Sequence, residues 1–500
     1  MSRPAPQFRA PAAIDFGAPS AERDIERGLE EYFVESEAYN RVRSGAKRIV
    51  VGNRGTGKSA IFQVLARRER GEGSYVIELS PEDYSYELLS QTMASEHSGS
   101  WAKLGAYAVA WKYLIYVLIM KEVSRRKVHL KKGEASRIYK YIRDHHANDN
   151  ASKLSALVSY LKRMEGLKIG KYEASVKTRE LEKLYKLEEI HHLLPGLQEI
   201  ASQRRIIVLV DELDRGWDSS EDAQAFVAGL FQACLSVNSL HDNLRVYISL
   251  RLELYDDVPA LYEDAQKYRD LIENIHWTET SLLKLMANRI RHALPALAGY
   301  DDQECWNCLF TAPPGQRRAR SFDYMIGRTL YRPREIIQFS TQVIECAQYG
   351  QAGPPWPYAT ITEAESLYSV DRVRDIAAEY RFQWPGLLSV IETFRGQPRV
   401  IDRDDLELLA LGLITRDIPS AGTSAWLDEC SPDGLIEILW QVGLLLAEAD
   451  PGSGAALRDP GSPAGVPFLG AHQARRLNLA TAQRFQVHPM FLAYLGTGRA

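Results

Sequence analysis

Cysteine is scarce in this chain, five in 500 residues and an odd number. A disulfide framework is therefore excluded, and the expected setting is a reducing cytoplasm. One-sided charge is also lacking. The formal net charge is −4, which gives no general push toward nucleic acid or a membrane surface. The stretch from Met1 to Ala13 holds Pro and Ala but no apolar core, so no secretory leader is expected. The most apolar run, Leu104 to Met120, is 17 residues long and carries Lys112 at its middle. That falls short of the ~20 residues a membrane span needs, and a helix buried between two layers is expected instead. No repeat of 20 to 50 residues recurs. No Gly-x-Ser-x-Gly, His-Glu-x-x-His or paired-carboxylate glycosidase pattern occurs either, so those hydrolase classes have no support.

What is present is an ordinary globular composition, long enough for two or three domains. The order of elements reads as mixed α/β. A helix is expected from Ser20 through Val34, a short strand from Arg48 to Val51, a helix from Ala60 to Arg68 and a strand from Ser74 to Leu79. Residues 80–200 read as mostly helical, with a small hairpin at Leu167 to Lys177 where apolar residues alternate about a glycine. Strands return at Arg204 to Glu212 and Arg245 to Leu250, a short one is expected at Ile275 to Trp277, and a helix follows from Leu282 to Leu294. Gly350 to Ala359 has the composition of a linker, and Pro451 to Pro467 that of a loose loop.

The chemistry begins at Gly52-Asn53-Arg54-Gly55-Thr56-Gly57-Lys58-Ser59, with Ala60 next, a complete G-x-x-x-x-G-K-[ST] between a strand and a helix. Glycines let such a loop curl so that backbone N–H groups point at phosphates, and the helix N-terminus adds its positive dipole end. Lys58 is suited to the β and γ oxygens, and Ser59 to a Mg2+ ion bridging them. Further on, Ile206 to Val210 is an apolar run fit for a central parallel strand, and it ends in Asp211-Glu212. Asp211 is the candidate Mg2+ partner and Glu212 the candidate group that orients the attacking water.

These residues resemble the AAA+ and STAND branch of P-loop NTPases, and among them the bacterial P-loop ATPases often found beside antiphage defence genes. Four stretches carry the resemblance: VGNRGTGKSA at 51–60, VLVDELDRGWD at 208–218, YISLRLELYDD at 247–257 and YRPREIIQF at 331–339. It implies a P-loop core with a parallel sheet over residues 41–275, interrupted by a basic helical insert at about 100–200. It also implies a helical lid over 276–350 and a winged-helix-like domain over 360–500, with 1–40 as an N-terminal segment. ATP with Mg2+ is the implied cofactor pair, since no Asn-Lys-x-Asp-type guanine motif is present. Arg251, with Ser249 second, is the implied sensor of the γ-phosphate. Arg332 and Arg334, in Arg-Pro-Arg-Glu, are the implied lid arginines. Asp214 and Arg215 are left as a switch or an ion pair. No arginine finger for a neighbouring subunit stands out, so a closed ring is not expected.

The function implied is a conformational switch or assembly factor, in defence or in a DNA-related system, acting through a partner protein. Two alternatives stand beside it: a DNA-binding loader, and a scaffold that binds nucleotide without turning it over. DNA is considered because residues 121–187 carry a net charge of +10 against −14 for the rest, although such a run also suits a solvated helical face. Cys305-Trp306-Asn307-Cys308 lacks further ligands at zinc spacing and reads as two buried thiols. His145-His146 and His191-His192 read as exposed, and the tyrosines from Tyr75 to Tyr86 as packing.

Overall fold

The computed structural model describes residues 14–79, 100–125, 134–146, 187–213, 217, 220–258, 269–311, 320–349, 353–416, 425–449, 468–474 and 477–496. The hairpin expected at Leu167 to Lys177, the loop from Pro451 to Pro467, and Asp214 with Arg215 lie outside the described residues. The chain divides into two compact units, Glu35–His276 and Met1–Val34 with Trp277–Ala500.

The first unit is built on five parallel strands. They are β1 (Ile49–Gly52), β2 (Tyr75–Leu79), β3 (Ile206–Val210), β4 (Leu244–Arg251) and β5 (Ile272–Asn274), in the order β2-β3-β4-β1-β5. Every residue of β1 and β3 is buried, which is why both read as unbroken β-branched and leucine runs rather than alternating ones. Its helices are α1 (Glu37–Ser44), α2 (Lys58–Gly71), α3 (Ser100–Arg125), α4 (Glu134–His146), α5 (Leu194–Gln203), α6 (Glu221–Asn238) and α7 (Leu252–Asp257), with one further turn at Glu188–His191.

Ile206, Val208 and Val210 share one hydrophobic core with Tyr107, Trp111, Leu114 and Ile115 of α3. The 17-residue apolar run is thus accounted for by the core, and no helix among the described residues is long and apolar enough to cross a membrane. On α2, Phe62 packs edge-on against Tyr247 of β4, ring centroids 6.5 Å apart. Helix α6 meets α3 closely. Trp111 Nε1 donates to the Phe226 carbonyl at 3.2 Å, and a Cβ added to Gly229 would lie 2.7 Å from Tyr107 Cβ. Strand β5 falls three residues before the expected Ile275 to Trp277. Its ladder is set by β1, which pairs Ile49 with Ile272, Val50 with Glu273 and Val51 with Asn274.

The second unit contains α8 (Glu279–Ala293), α9 (Asp302–Asn307), α10 (Ser321–Ile326), α11 (Pro333–Tyr349), α12 (Tyr358–Glu379) and α13 (Leu387–Glu392). It continues with β6 (Val400–Asp402), α14 (Arg403–Ile414), α15 (Ala425–Asp428), α16 (Pro432–Gln441), β7 (Leu445–Glu448), β8 (Phe468–Leu469), β9 (Arg484–Val487) and α17 (Pro489–Leu495). Thr278 caps α8 and Asp301 caps α9 through reciprocal capping boxes. The four strands form an antiparallel sheet in the order β6-β9-β7-β8.

Described residues from both the segment expected as a lid, 276–350, and that expected as a tail, 360–500, contribute to one hydrophobic core. Phe339 of α11 stacks on Tyr368 of α12 at 4.5 Å, and Ser369 Oγ of α12 donates to the Met490 carbonyl of α17 at 2.7 Å. The expected linker at Gly350 to Ala359 is docked rather than loose over its described part. Trp356 is buried and its N–H donates to the Leu309 carbonyl at 2.7 Å. The helix expected from Ser20 through Val34 is broken into Ala21–Asp24, Ile25–Arg27 and Leu29–Tyr32, because Gly28 takes a left-handed conformation, φ 97°.

Candidate phosphate-binding site

Strand β1 delivers its last residue, Gly52, to a tight loop that turns into α2. Gly55 and Gly57 hold φ of 82° and 95°, a region that L side chains rarely adopt. A Cβ on Gly52 would stand 2.7 Å from Thr56 Oγ1, so the three glycines are steric requirements of the curl. Thr56 closes it by donating its hydroxyl to the Asn53 carbonyl at 2.9 Å. Lys58 Nζ donates to the carbonyls of Gly52, 2.7 Å, and Asn53, 3.0 Å. Its ammonium is therefore held over the mouth of the loop. No side chain caps the start of α2, and no acidic residue lies in its first turn. The amide edge of Lys58, Ser59 and Ala60 thus carries positive dipole character. Arg54 is exposed at the loop's outer edge.

Asp211 and Glu212 follow directly on β3. Strand β4 lies between β3 and β1, and it pairs Ile248 with Val210 on one side and Ser249 with Val50 on the other. Glu212 is a non-glycine residue at φ 55°, and its N–H donates to Asp211 Oδ1 at 2.9 Å. Desolvation raises the Asp211 carboxyl above the usual carboxylate range. The Ser249 and Ser59 hydroxyls, the Glu212 N–H and the Lys58 charge oppose this rise without cancelling it. Ser249 Oγ is buried and faces this carboxyl without reaching a hydrogen bond of good geometry. Arg251 closes β4 opposite Gly52 and leads into α7. Gly52 to Ala60, Asp211, Glu212, Ser249 and Arg251 are thus brought together at the carboxyl ends of β1, β3 and β4, the edge where open parallel sheets take ligands.

Arg332 and Arg334 belong to the other unit. Arg332 is 5% exposed and donates from Nη1 to both oxygens of Glu379, at 2.9 and 3.2 Å. Glu335 is 3.7 Å from its Nε and 3.4 Å from Arg372. Arg334 Nε donates to the Pro19 carbonyl at 3.2 Å. The spacing Arg-Pro-Arg gave no sign of this buried ion cluster, because Glu379 lies 47 residues away in sequence.

Among the other candidates, Cys305 is buried with Sγ facing the Leu297 carbonyl, and burial raises both Cys305 and Cys308 above an ordinary thiol. His145, His191 and His192 are exposed, and no group of three metal-ligating side chains occurs among the described residues. Tyr75 is buried in β2, while the tyrosines beyond residue 79 lie outside the described residues.

Residues 280–377 match the family model of the FunZ-associated C-terminal helical domain. A protein of Escherichia coli (strain K12) described as "Putative transposon gamma-delta 80.3 kDa protein" is 25% identical over 388 residues, 76% of this chain and 53% of that one. The chain therefore spans about half the length of this curated relative. Among solved structures, that of the Aeropyrum pernix ORC2 protein in ADPNP–ADP complexes covers 90% of each chain at 11% identity, with a TM-score of 0.35. Drosophila ORC bound to DNA covers 97% of this chain and 88% of its own at 12% identity, with a TM-score of 0.29.

Proposed function

We propose that the unit of residues 35–276 is a P-loop NTPase core that binds ATP with Mg2+ and hydrolyses it slowly, as a switch acting on a partner protein. One observation carries this reading: the glycine loop with Lys58 lies at the same sheet edge as Asp211 and Glu212. Lys58 would exchange two backbone carbonyls for β and γ oxygens, and the uncapped amides of α2 would receive the phosphates. The Asp211 carboxyl and Ser59 hydroxyl offer oxygen ligands only, which suits a hard divalent cation such as Mg2+. That ion would neutralise charge on the phosphates. Glu212, held in a sparsely populated backbone region of the kind that gathers at functional sites, is the candidate for orienting the attacking water. Ser249 and Arg251 are the candidates for sensing the γ-phosphate.

Arg332 and Arg334 are the candidate lid arginines of this reading. The sheet β6-β9-β7-β8 with α14 to α16 is read as winged-helix-like. The AAA+ and STAND assignment and a defence role belong to this same reading. The test is calorimetric. Lys58→Ala should abolish measurable ATP binding at concentrations where the wild type saturates, and unchanged affinity would remove the phosphate-loop reading.

A second reading, a DNA-binding loader, draws on the basic insert and on the transposon named in the relative's description. Its mark would be DNA binding that falls steeply with salt.

A further inference from the structure

Helices α11 and α12 pack together in the second unit, joined where Phe339 stacks on Tyr368. Beside that contact they enclose a groove of about 170 Å³. Its α11 wall includes Gln338, Gln342 and Glu345, and its α12 wall is Tyr368, Asp371 and Arg372. Steps of three and four residues place each set on one face of its helix. Pro19 also lines the groove, and the hydrogen bond from Arg334 to the Pro19 carbonyl holds it there. A proline brings no N–H to the site.

The groove is rich in acceptors. Tyr368 is 3% exposed, and its hydroxyl has no hydrogen-bond partner in the protein; the buried Oε1 of Gln338 has none either. Buried polar atoms are seldom left so, and these two belong to residues that line one cavity. Glu345 and Asp371 are exposed at its mouth. Among the described residues neither carboxylate is ion-paired, and Glu345 accepts from the neutral Gln342 amide at 3.1 Å. Arg372, the cation among these residues, is already bound to Asp375 and lies 3.4 Å from Glu335. The charge left to meet a ligand is therefore negative. We propose that the groove binds a cationic nitrogen group, a guanidinium or an ammonium. Its N–H donors would be shared between the carboxylates at the mouth and the Gln338 and Tyr368 oxygens within. Two sources supply this chemistry: a free organic cation, or an arginine or lysine side chain of a partner protein. The inference does not depend on nucleotide binding.

The test uses the full chain without nucleotide and follows ligand signals by saturation-transfer NMR. Ethylguanidinium should bind wild type saturably at about 0.1–10 mM, the range open to a ligand of so few atoms. Ethylurea keeps the shape but not the charge, and should bind roughly tenfold or more weakly. Asp371→Asn with Glu345→Gln removes charge at nearly constant shape. It should weaken ethylguanidinium by a similar factor while melting with wild type. Tyr368→Phe should weaken binding several-fold yet melt within about 2 °C of wild type, because it deletes a hydroxyl without a partner in the protein. A blocked Gly-Gly-Arg-Gly-Gly peptide separates the two sources. Binding at least as tight as that of ethylguanidinium assigns the groove to a protein side chain, and weaker binding assigns it to a free cation. The proposal is overturned if ethylguanidinium shows no saturable binding to wild type, if ethylurea binds equally well, or if the charge-removed variant binds undiminished. A Tyr368→Phe variant that melts far below wild type also overturns it, since the hydroxyl would then already be partnered.

Discussion

Removing Arg332 should unfold its unit at a markedly lower temperature while leaving nucleotide chemistry in the other unit a secondary casualty. The guanidinium is buried, and the Glu379 carboxylate it serves has a side chain only 3% exposed. In Arg332→Ala that carboxylate loses donors at 2.9 and 3.2 Å. It must then stay ionised with that guanidinium gone or take up a proton. Breaking a buried pair on one side costs about 3–5 kcal/mol. At roughly 2–4 °C per kcal/mol for a unit of this size, the transition should fall by about 6–20 °C. The double variant Arg332→Met with Glu379→Leu should recover most of that loss, because replacing both charges by apolar groups of similar volume is close to neutral.

Thermal unfolding followed by tryptophan fluorescence suits the purpose. Trp306, Trp356, Trp384, Trp426 and Trp440 all lie in this unit. If Arg332→Ala melts within about 2 °C of wild type while ATP turnover collapses, the structural reading of Arg332 fails and a catalytic one replaces it.

Glu212→Gln should still bind ATP with Mg2+ but lose hydrolysis by ~100-fold or more, the scale of a positioned base. An unaltered single-turnover rate would remove Glu212 from that role, and would favour the scaffold alternative only if wild type were equally slow. Asp211→Ala should instead weaken the Mg2+ dependence of binding. Gly229→Ala should destabilise the 35–276 unit by about 1–3 kcal/mol despite alanine's better helix propensity, since its Cβ would meet Tyr107 and the Ala108 backbone N at 2.7 and 2.8 Å; a urea midpoint at or above wild type would refute the close α3–α6 approach.

The 277–500 unit should lose stability as pH falls from about 6.5. Burial, and then the Arg332 charge, lowers His472 to about 3, while burial with His472 and Arg328 holds His488 well below its ordinary range. Both imidazoles stay neutral when folded and take protons when unfolded, so stability is complete above about 6.5 and is lost toward acid at up to ~1.4 kcal/mol per pH unit for each. His488→Asn keeps a cap acceptor for the Met490 N–H and should flatten the slope between pH 7 and 5; an unchanged slope would show that other groups set it.

The sequence by itself determined the glycine loop and what surrounds it. Gly55, Gly57 and Lys58 are local requirements of one tight turn, so their types and spacing state the geometry directly. The strands β1 and β3 were legible for a similar reason: burial on both faces leaves only apolar residues permissible. The body of α8 was legible in its helical spacing, but its start, expected at Leu282, falls three residues earlier, at Glu279 behind the Thr278 cap. Ser20 to Val34 was misread as one helix because a single glycine breaks it where periodicity continues. Only the tertiary structure decided which distant residues meet. Asp211 is brought to Ser59 and Lys58 because β4, separated from β3 by 33 residues and far from β1 in sequence, inserts between them. The sequence offered Arg332 as a lid arginine but gave no sign of Glu379 beside it. A buried charge depends on a partner supplied by another helix, and nothing in local sequence states which carboxylate that will be. That Leu408 and Leu411 stand exposed, rather than in the core with Leu406 and Leu413, follows only from which side of α14 its neighbours α16, β6 and β9 cover.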